Sequence, residues 1–569
     1  MGSLFPRSPL IVAFVTLAVI LATLPFADSG FDDDWAYAHV ARVFHDTGTI
    51  RYNGWGASIG WFQSAYGALL ISLFGFSFQV LRFATAPFAM GCAVLMYLLA
   101  RKAGLKESHS TFAALAVTVS PFFIPVAASF MGDVYGFFFT LLCLYAGALA
   151  VTGKPFVPLI VCTIAGIIGG TTRQSVWPAV AAPLMVFVYL HRREPNSRIW
   201  GTGCLAACGA VMIASQHWFD RQPNREFDSI GRQTLDRFLS DPSVSIGSTV
   251  GVLFTTMLYA APALVCFVRG IPIIGIKRVL VLLGATLFFV GFLVTIGQES
   301  VAPWMGNMVT KDGILSSNVA LLGKRPMILP FGVRVVLTAG LYFIGLIAWG
   351  VSNTKKKTAE DAAGDWPRVQ LVLLSFAVLY VTLLVVRANS GYTFDRYAIP
   401  LMPVVMLEIL KRSARLDFEI PVLAWATAAI FAIFGIAITH DYYSQLRARE
   451  FAGKILQRNG IPRRQFTLGV ESDAWAQLAW RGFVFNDRST GEAGKPQGKK
   501  QTPGQKVWWF TRHAPDLDPV YFVVTSEVPE LASSEFAPVP FDTWLPPRRD
   551  HLLIQKFIAA SNVAAKALP

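Results

Sequence analysis

Five ionisable residues stand at the edges of apolar runs. Asp33 and Asp34 close the first run, in "GFDDDWAYAHVARVFHDTG". Asp133 opens a later one in "SFMGDVYGFFF", Arg173 lies between two short runs in "GGTTRQSVWP", and Arg396 precedes another in "GYTFDRYAIPLMP". Alone, each would serve as an anchor at a helix end. Together on one membrane face they would mark a site, because charge within a membrane is costly. A carboxylate that takes a proton from a hydroxyl is a general base. A guanidinium held nearby grips a phosphate oxygen through a fork of N–H donors. A base and a phosphate clamp at a membrane face suit transfer of a group from a lipid phosphate to a hydroxyl.

The rest of the chain must place these groups. Of 569 residues, 54% are hydrophobic and 15% charged, against roughly 25% charged in soluble domains. Mean hydropathy is +0.50. Apolar runs recur at about the ~20 residues that cross a bilayer as a helix. The predicted fold class is therefore a polytopic α-helical membrane protein of about thirteen spans: 9–27, 80–100, 110–128, 134–151, 156–171, 176–190, 199–217, 249–268, 278–297, 331–351, 369–386, 397–411 and 420–439. The first is too long for a signal-peptide core and reads as retained. Within 35–75, two amphipathic pieces read as interfacial helices.

Basic residues set the direction. With the N-terminus in the cytoplasm, the inside loops include "RKAGLK", "HRREPNSR", "NTKKKTAEDAAGDWPR" and "KRSARLDF", as the positive-inside rule requires. The net charge of +14 is then membrane anchoring and not a nucleic-acid footprint. The five chemical residues fall outside. So does the tail, 440–569, whose runs "VYFVVTS" and "HLLIQKFI" read as strands of a small α/β domain following a membrane domain at 1–439. The six cysteines all lie in apolar segments and read as small core residues, with no disulfide framework and no thiolate metal site.

The segment "DDWAYAHVARVFHDTG" resembles the first outer loop of family 39-like glycosyltransferases of the GT-C superfamily, in which an acidic pair is followed by Tyr and an Ala-Arg pair. That superfamily group includes protein O-mannosyltransferases, the lipid A aminoarabinose transferase and related lipopolysaccharide-core transferases. The match puts Asp33, Asp34, Tyr37, Ala41 and Arg42 at the motif positions. "VLRFATAPFAMG" resembles the opening of the family's second span and contributes Arg82. "MGDVYGFFF" contributes Asp133, and "RYAIPLMPVV" contributes Arg396, Tyr397, Pro400 and Pro403. The sequence departs from the pattern in having Asp34 where Glu is usual, a third carboxylate at Asp32, and Arg173-Gln174-Ser175 after the fifth span. The base therefore stays open among Asp32, Asp33 and Asp34.

The resemblance implies a polyprenyl-phosphate-linked sugar donor, a hydroxyl acceptor (glycolipid, polysaccharide or protein) and inversion at the anomeric carbon. It assigns Asp33, Asp34 and Asp133 to catalysis, Arg173, Arg396 and Arg82 to the donor phosphate, and Tyr37 and Tyr397 to substrate contact. Asp133 would hold the geometry, orient the acceptor or, with Asp33, help bind a divalent cation; the spacing does not require the metal. His39 is a further candidate for lining the site. His39 and His45 do not share a helix face and make no metal pair. Lys311, Lys324 and Arg325 in the loop 298–330 are candidates for a lid over the phosphate. Trp508-Trp509 reads as core of the tail domain, with a sugar-stacking role as the alternative. The competing function is a transporter or flippase of a lipid-linked or anionic substrate. Its site would sit at the midplane between repeats, and the chain has neither repeats nor midplane charge. The outward tail, with no eukaryotic retention signal, points to a bacterial inner membrane.

Overall fold

The computed structural model describes residues 7–226, 239–354, 364–387, 393–495 and 509–557. The lysine run 355–357, residue Trp508 and part of the tail's middle loop lie outside them. In chain order the helices are α1 (Arg7–Ala22), α2 (Asp34–Thr47), α3 (Trp61–Phe74), α4 (Phe78–Phe83), α5 (Ala86–Lys102), α6 (Glu107–Thr118), α7 (Phe123–Ala127), α8 (Gly132–Thr152), α9 (Phe156–Thr172), α10 (Trp177–Leu190) and α11 (Pro195–Asp220). There follow α12 (Pro242–Tyr259), α13 (Ile276–Ile296), α14 (Phe331–Ser352), α15 (Trp366–Arg387), α16 (Met402–Arg415), α17 (Val422–Arg458), α18 (Val470–Arg481) and α19 (Trp509–His513), with short helical turns between.

Among the described residues, seven helices are long and apolar enough to cross a membrane, or eight if the bent pair 242–274 is one span. The chain is a multi-span membrane protein. Four shorter apolar helices lie at Ser8–Ala22, Trp61–Phe74, Phe156–Thr172 and Gln174–Leu190. Three expected spans differ in form. The first stops at Ala22, before Pro25, and Leu24 takes a left-handed φ of 49°. The run 110–128 breaks into α6 and α7 at Ser120-Pro121, because proline lacks the N–H that would continue the helix. The run 397–411 begins as a 3₁₀ turn, Asp395–Leu401, around Pro400, before α16.

The tail is a mixed domain. Strands β1 (Phe466–Thr467), β2 (Tyr521–Val524), β3 (Leu531–Ser533), β4 (Val539–Trp544) and β5 (Pro547–Phe557) form a sheet in the order β1-β2-β5-β3, with β4 also on β5. The two runs read as strands from sequence are partners: Val523 lies opposite Ile554 in the antiparallel β2–β5 pair. The boundary expected at 440 falls inside α17, which continues unbroken to Arg458. Just past that position, the Asp441 carboxylate accepts from the Trp544 N–H at 2.7 Å and the Leu545 N–H at 3.0 Å, clamping the β4–β5 hairpin to the helix.

Two loops tie the domain to the helices. Leu322 of the loop 298–330 accepts from Thr525 N at 2.8 Å. Gly54 of the first outer loop accepts from Asn486 Nδ2 at 3.0 Å and Ser489 Oγ at 2.7 Å. Gly54 has φ +87°, and a Cβ there would lie 2.2 Å from the Val484 carbonyl oxygen. Only glycine permits that approach.

Candidate active site

The five charges sit at one end of their helices. Asp133 lies at the start of α8 and Arg173 at the break between α9 and α10. Arg396 lies in the 3₁₀ turn before α16, and Asp33 immediately precedes α2. The opposite ends carry the basic groups: Lys154 beyond α8, Arg192 and Arg193 beyond α10, and Arg412 and Arg415 in α16.

Local sequence explains each position. Arg173 has an extended backbone, φ −142° and ψ 114°, because α9 ends there and Pro178 starts the next helix within its first turn. Gly136 of α8 makes room for its side chain; a Cβ there would stand 3.0 Å from Arg173 Cδ. Arg396 is fixed by its neighbour Asp395, whose carboxylate accepts from the N–H groups of Met308 (3.1 Å), Val309 (2.7 Å) and Arg396 itself (2.8 Å). Asp32 takes a left-handed φ of 49°, uncommon for a residue with a side chain and most tolerated by Asp and Asn. It turns the chain so that Asp32 and Asp33 both reach Arg396.

Arg396 is the centre of the cluster. Its NH1 lies 3.0 Å from Asp32 Oδ2 and its NH2 2.8 Å from Asp33 Oδ2. Its Nε is 4.0 Å from Asp133 Oδ1, beyond hydrogen-bond reach. Arg173 NH2 lies 2.8 Å from the same Asp133 oxygen. The other Asp33 oxygen accepts from Trp55 Nε1 at 2.8 Å. Asn307 Nδ2 donates to Asp32 Oδ1 at 3.4 Å. Three buried atoms of the cluster have no hydrogen-bond partner among the described residues: the donor Arg396 Nε and the acceptors Asp133 Oδ2 and Asn307 Oδ1. The carboxylates divide by exposure. The Asp33 side chain is 21% exposed, against 6% for Asp32 and 5% for Asp133. Burial, reinforced by the Asp33 charge, pushes the Asp32 carboxyl well above its ordinary range, against the pull of Arg396. Asp33 is thus the accessible carboxylate and Asp32 the one driven toward its neutral form.

All of these groups except Asp133 line a cavity of ≈ 1300 Å³; Asp133 lines a small pocket beside it, with Arg173, Arg396 and Tyr397. One lobe is apolar, walled by Trp177 and Val180 of α10, Leu205, Gly209 and Met212 of α11, and Leu379 and Leu383 of α15. The other is polar and reaches the tail domain at Asn486, Arg488, Trp509, Arg512 and His513. Asp32, Asp33, Tyr37, Arg173, Arg396 and Tyr397 line the same cavity, and burial raises the Tyr37 hydroxyl to about 12.

Several expected residues are elsewhere. Asp34 and Arg82 do not line the cavity; they pair with each other at 3.0 Å, both buried. Asp34 also accepts from Phe31 N at 2.6 Å, and Arg82 donates to the carbonyls of Ala27 and Ser29. Arg82 is buried away from the cavity, each of its three guanidinium nitrogens donating to Asp34 or to a backbone carbonyl, so it is not placed to meet a phosphate, and the pair folds the chain between α1 and α2 instead. We predict that Asp34→Ala, which leaves Arg82 buried without its counter-ion, costs about 3–5 kcal/mol of stability. Thermal melting of the purified protein would show the loss.

His39 does not line the cavity either. It packs edge-on against Trp475, and burial lowers it to about 4, so it is uncharged at neutral pH. Lys311, Lys324 and Arg325 do not reach the cavity. Lys311 bonds Asp312 at 3.3 Å. Lys324 is exposed, its backbone N–H bonded to Ser526 Oγ at 2.8 Å. Arg325 gives its guanidinium to the carbonyls of Ile314 and Leu315. The loop still walls the cavity, through Asn307, Leu315, Ser316 and Ala320.

Among the described residues, no group of three or more His, Cys, Asp or Glu gathers as a metal-ligand set. The carboxylates considered for a cation, Asp33 and Asp133, are engaged by Arg396 and Arg173.

Sequence reasoning missed many lining residues, among them Trp55, Asn307, Arg387, Glu471, Arg488, Arg512 and His513. Arg387 carried a signal, standing at the end of an apolar run. Glu471 is held by Arg449 at 2.9 Å and by the Tyr442 hydroxyl; nothing in the tail sequence marks it.

No family model and no curated protein matches the sequence. The structure is similar to ArnT from Cupriavidus metallidurans bound to undecaprenyl phosphate, at 14% identity and TM-score 0.39, over 79% of this chain and 72% of that one. It is also similar to the archaeal oligosaccharyltransferase AglB from Archaeoglobus fulgidus in complex with an inhibitory peptide and a dolichol-phosphate, at 13% identity and TM-score 0.38, over 80% and 59%. A third is the S. cerevisiae protein O-mannosyltransferase Pmt1-Pmt2 complex bound to the sugar donor, at 15% identity and TM-score 0.29, over 38% and 33%.

Proposed function

We propose that the chain is an inverting glycosyltransferase that moves a sugar from a polyprenyl-phosphate-linked donor to a hydroxyl acceptor at the outer face of a bacterial inner membrane. One observation carries the reading. A single cavity joins an apolar lobe between helices to a polar lobe at the tail domain, with carboxylates and guanidiniums lining it beside both. A prenyl chain fits the first lobe, whose rim at Met212 and Ile213 is exposed on the outer surface of α11.

The chemistry follows from the groups present. The donor phosphate faces Arg173 and Arg396, which both line the cavity. Asp33 accepts the proton of the acceptor hydroxyl; a carboxylate has about four lone-pair sites, and its two bonds leave room for that one. The acceptor oxygen forms a bond to the anomeric carbon as the bond from that carbon to the phosphate oxygen breaks. The guanidiniums stabilise the charge gathering on the leaving phosphate, placed in advance in a water-poor site. Asp32 and Asn307 hold the cluster in shape. The N-terminus is cytoplasmic and the tail domain extracytoplasmic in this reading, supported by the basic groups at the far helix ends.

The apolar lobe supplies the test. Gly209 of α11 lines it, with nothing within 4 Å of the place a Cβ would occupy. Gly209→Trp should fold normally but fill the seat of the lipid. The donor concentration at half-maximal transfer should rise about tenfold or more, the change produced by about 1.4 kcal/mol. Unchanged donor dependence would place the lipid elsewhere.

A further inference from the structure

The polar lobe is built around three rings. Trp55 meets His513 at a centroid distance of 5.3 Å and Trp509 at 6.2 Å, and Trp509 meets His513 at 5.1 Å. All three line the cavity and are only partly buried. The indole N–H of Trp55 is bonded to Asp33, so the cluster stands one hydrogen bond from the accessible carboxylate. His513 Nδ1 lies 2.6 Å from the Phe485 carbonyl oxygen. A carbonyl only accepts, so Nδ1 carries the proton and Nε2 is left as an acceptor. Burial lowers this ring to about 4, which keeps Nε2 free of a proton at neutral pH.

The surroundings narrow the ligand. Arg488 pairs with Glu226 at 3.2 Å and Arg512 with Asp487 at 2.5 Å. The rim therefore balances its charges and does not select a strongly anionic group. No residue of β1–β5 lines the cavity, so an extended peptide finds no strand edge to pair with. Aromatic faces set among amide, guanidinium and carboxylate groups match a sugar ring, with C–H faces against the rings and hydroxyls toward the polar side chains.

We propose that the acceptor is a saccharide, seated on Trp55, Trp509 and His513 so that one of its hydroxyls meets Asp33. The inference rests on the transferase reading above and names the acceptor class. Tail-domain residues then act in substrate recognition. Trp509, the described half of the Trp508-Trp509 pair, both packs against the tail-domain core and lines the cavity.

The test uses the full chain in membranes of its source, supplied with a radiolabelled polyprenyl-phosphate sugar. Label is counted separately in the glycolipid and polysaccharide fraction and in the protein fraction. Wild type should label the saccharide-bearing fraction. Trp509→Ala should raise the amount of that fraction needed for half-maximal transfer about tenfold, the equivalent of about 1.4 kcal/mol, with donor dependence unchanged. Trp509→Phe should recover most of the affinity, and equal melting temperatures would show that both variants fold. Label confined to protein, or Trp509→Ala with wild-type acceptor dependence, overturns the saccharide assignment and leaves the transferase reading standing. No transfer to any fraction by wild type overturns both.

Discussion

Asp33→Asn is expected to lower sugar transfer by about a hundredfold or more, with little change in melting temperature. General-base catalysis contributes about 10²–10⁴ in rate. The amide keeps the shape of the side chain and still offers one oxygen to Arg396 or Trp55, but it cannot take a proton. Asp33 is chosen over its neighbours by position. It lines the cavity and is the most exposed carboxylate of the cluster, whereas Asp32 is pushed toward its neutral form and Asp34 is locked against Arg82. Rates normalised to folded protein decide the matter. If Asp33→Asn keeps wild-type transfer and Asp133→Asn loses it, the base is Asp133.

The second large effect is at Arg396. Arg396→Ala should abolish transfer and also weaken the fold by about 3–5 kcal/mol, because it leaves Asp32 and Asp33 together without their shared cation. The rate loss should reach about 10²–10³ for the phosphate contact alone. Arg396→Lys should recover charge but not function: one ammonium cannot span two carboxylates 3.0 and 2.8 Å from different guanidinium nitrogens and also present a further N–H. Transfer rate and thermal melting, measured on the same preparations, separate the two losses. A stable and active Arg396→Ala would remove the guanidinium from the centre of the account.

The contrast between charge and context decided how much was legible beforehand. Asp33, Asp133, Arg173 and Arg396 stood out because each interrupts an apolar background, and the structure gathers them in one cluster. Asp34 and Arg82 have the same local signature. Only three-dimensional pairing separates a charge that faces a cavity from one that folds a loop, and no spacing rule reports it. Helix existence was plain from hydropathy, but its interruptions were less so: Pro121 and Pro400 lay inside runs apolar enough to pass for spans. Trp55, Asn307 and Glu471 lie in polar segments, where a polar or aromatic residue has no contrast with its neighbours. They enter the cavity through loop contacts such as Gly54 on Asn486 and Leu322 on Thr525, which are long-range and leave no periodic trace. The basic residues of the loop 298–330 misled for a related reason. Charge in a loop suggests an outer ligand, but Arg325 is consumed by carbonyls of its own loop.

The most direct measurement is transfer by the purified wild-type protein from a polyprenyl-phosphate sugar of known anomeric configuration, with the configuration of the product determined. The account predicts a labelled glycoside of inverted configuration and release of polyprenyl phosphate in equal amount. Retained configuration would contradict the single displacement assisted by Asp33. No product from any polyprenyl-phosphate sugar, together with passage of the intact lipid-linked substrate across a sealed vesicle membrane, would contradict the transferase account itself and make the cavity a transport path.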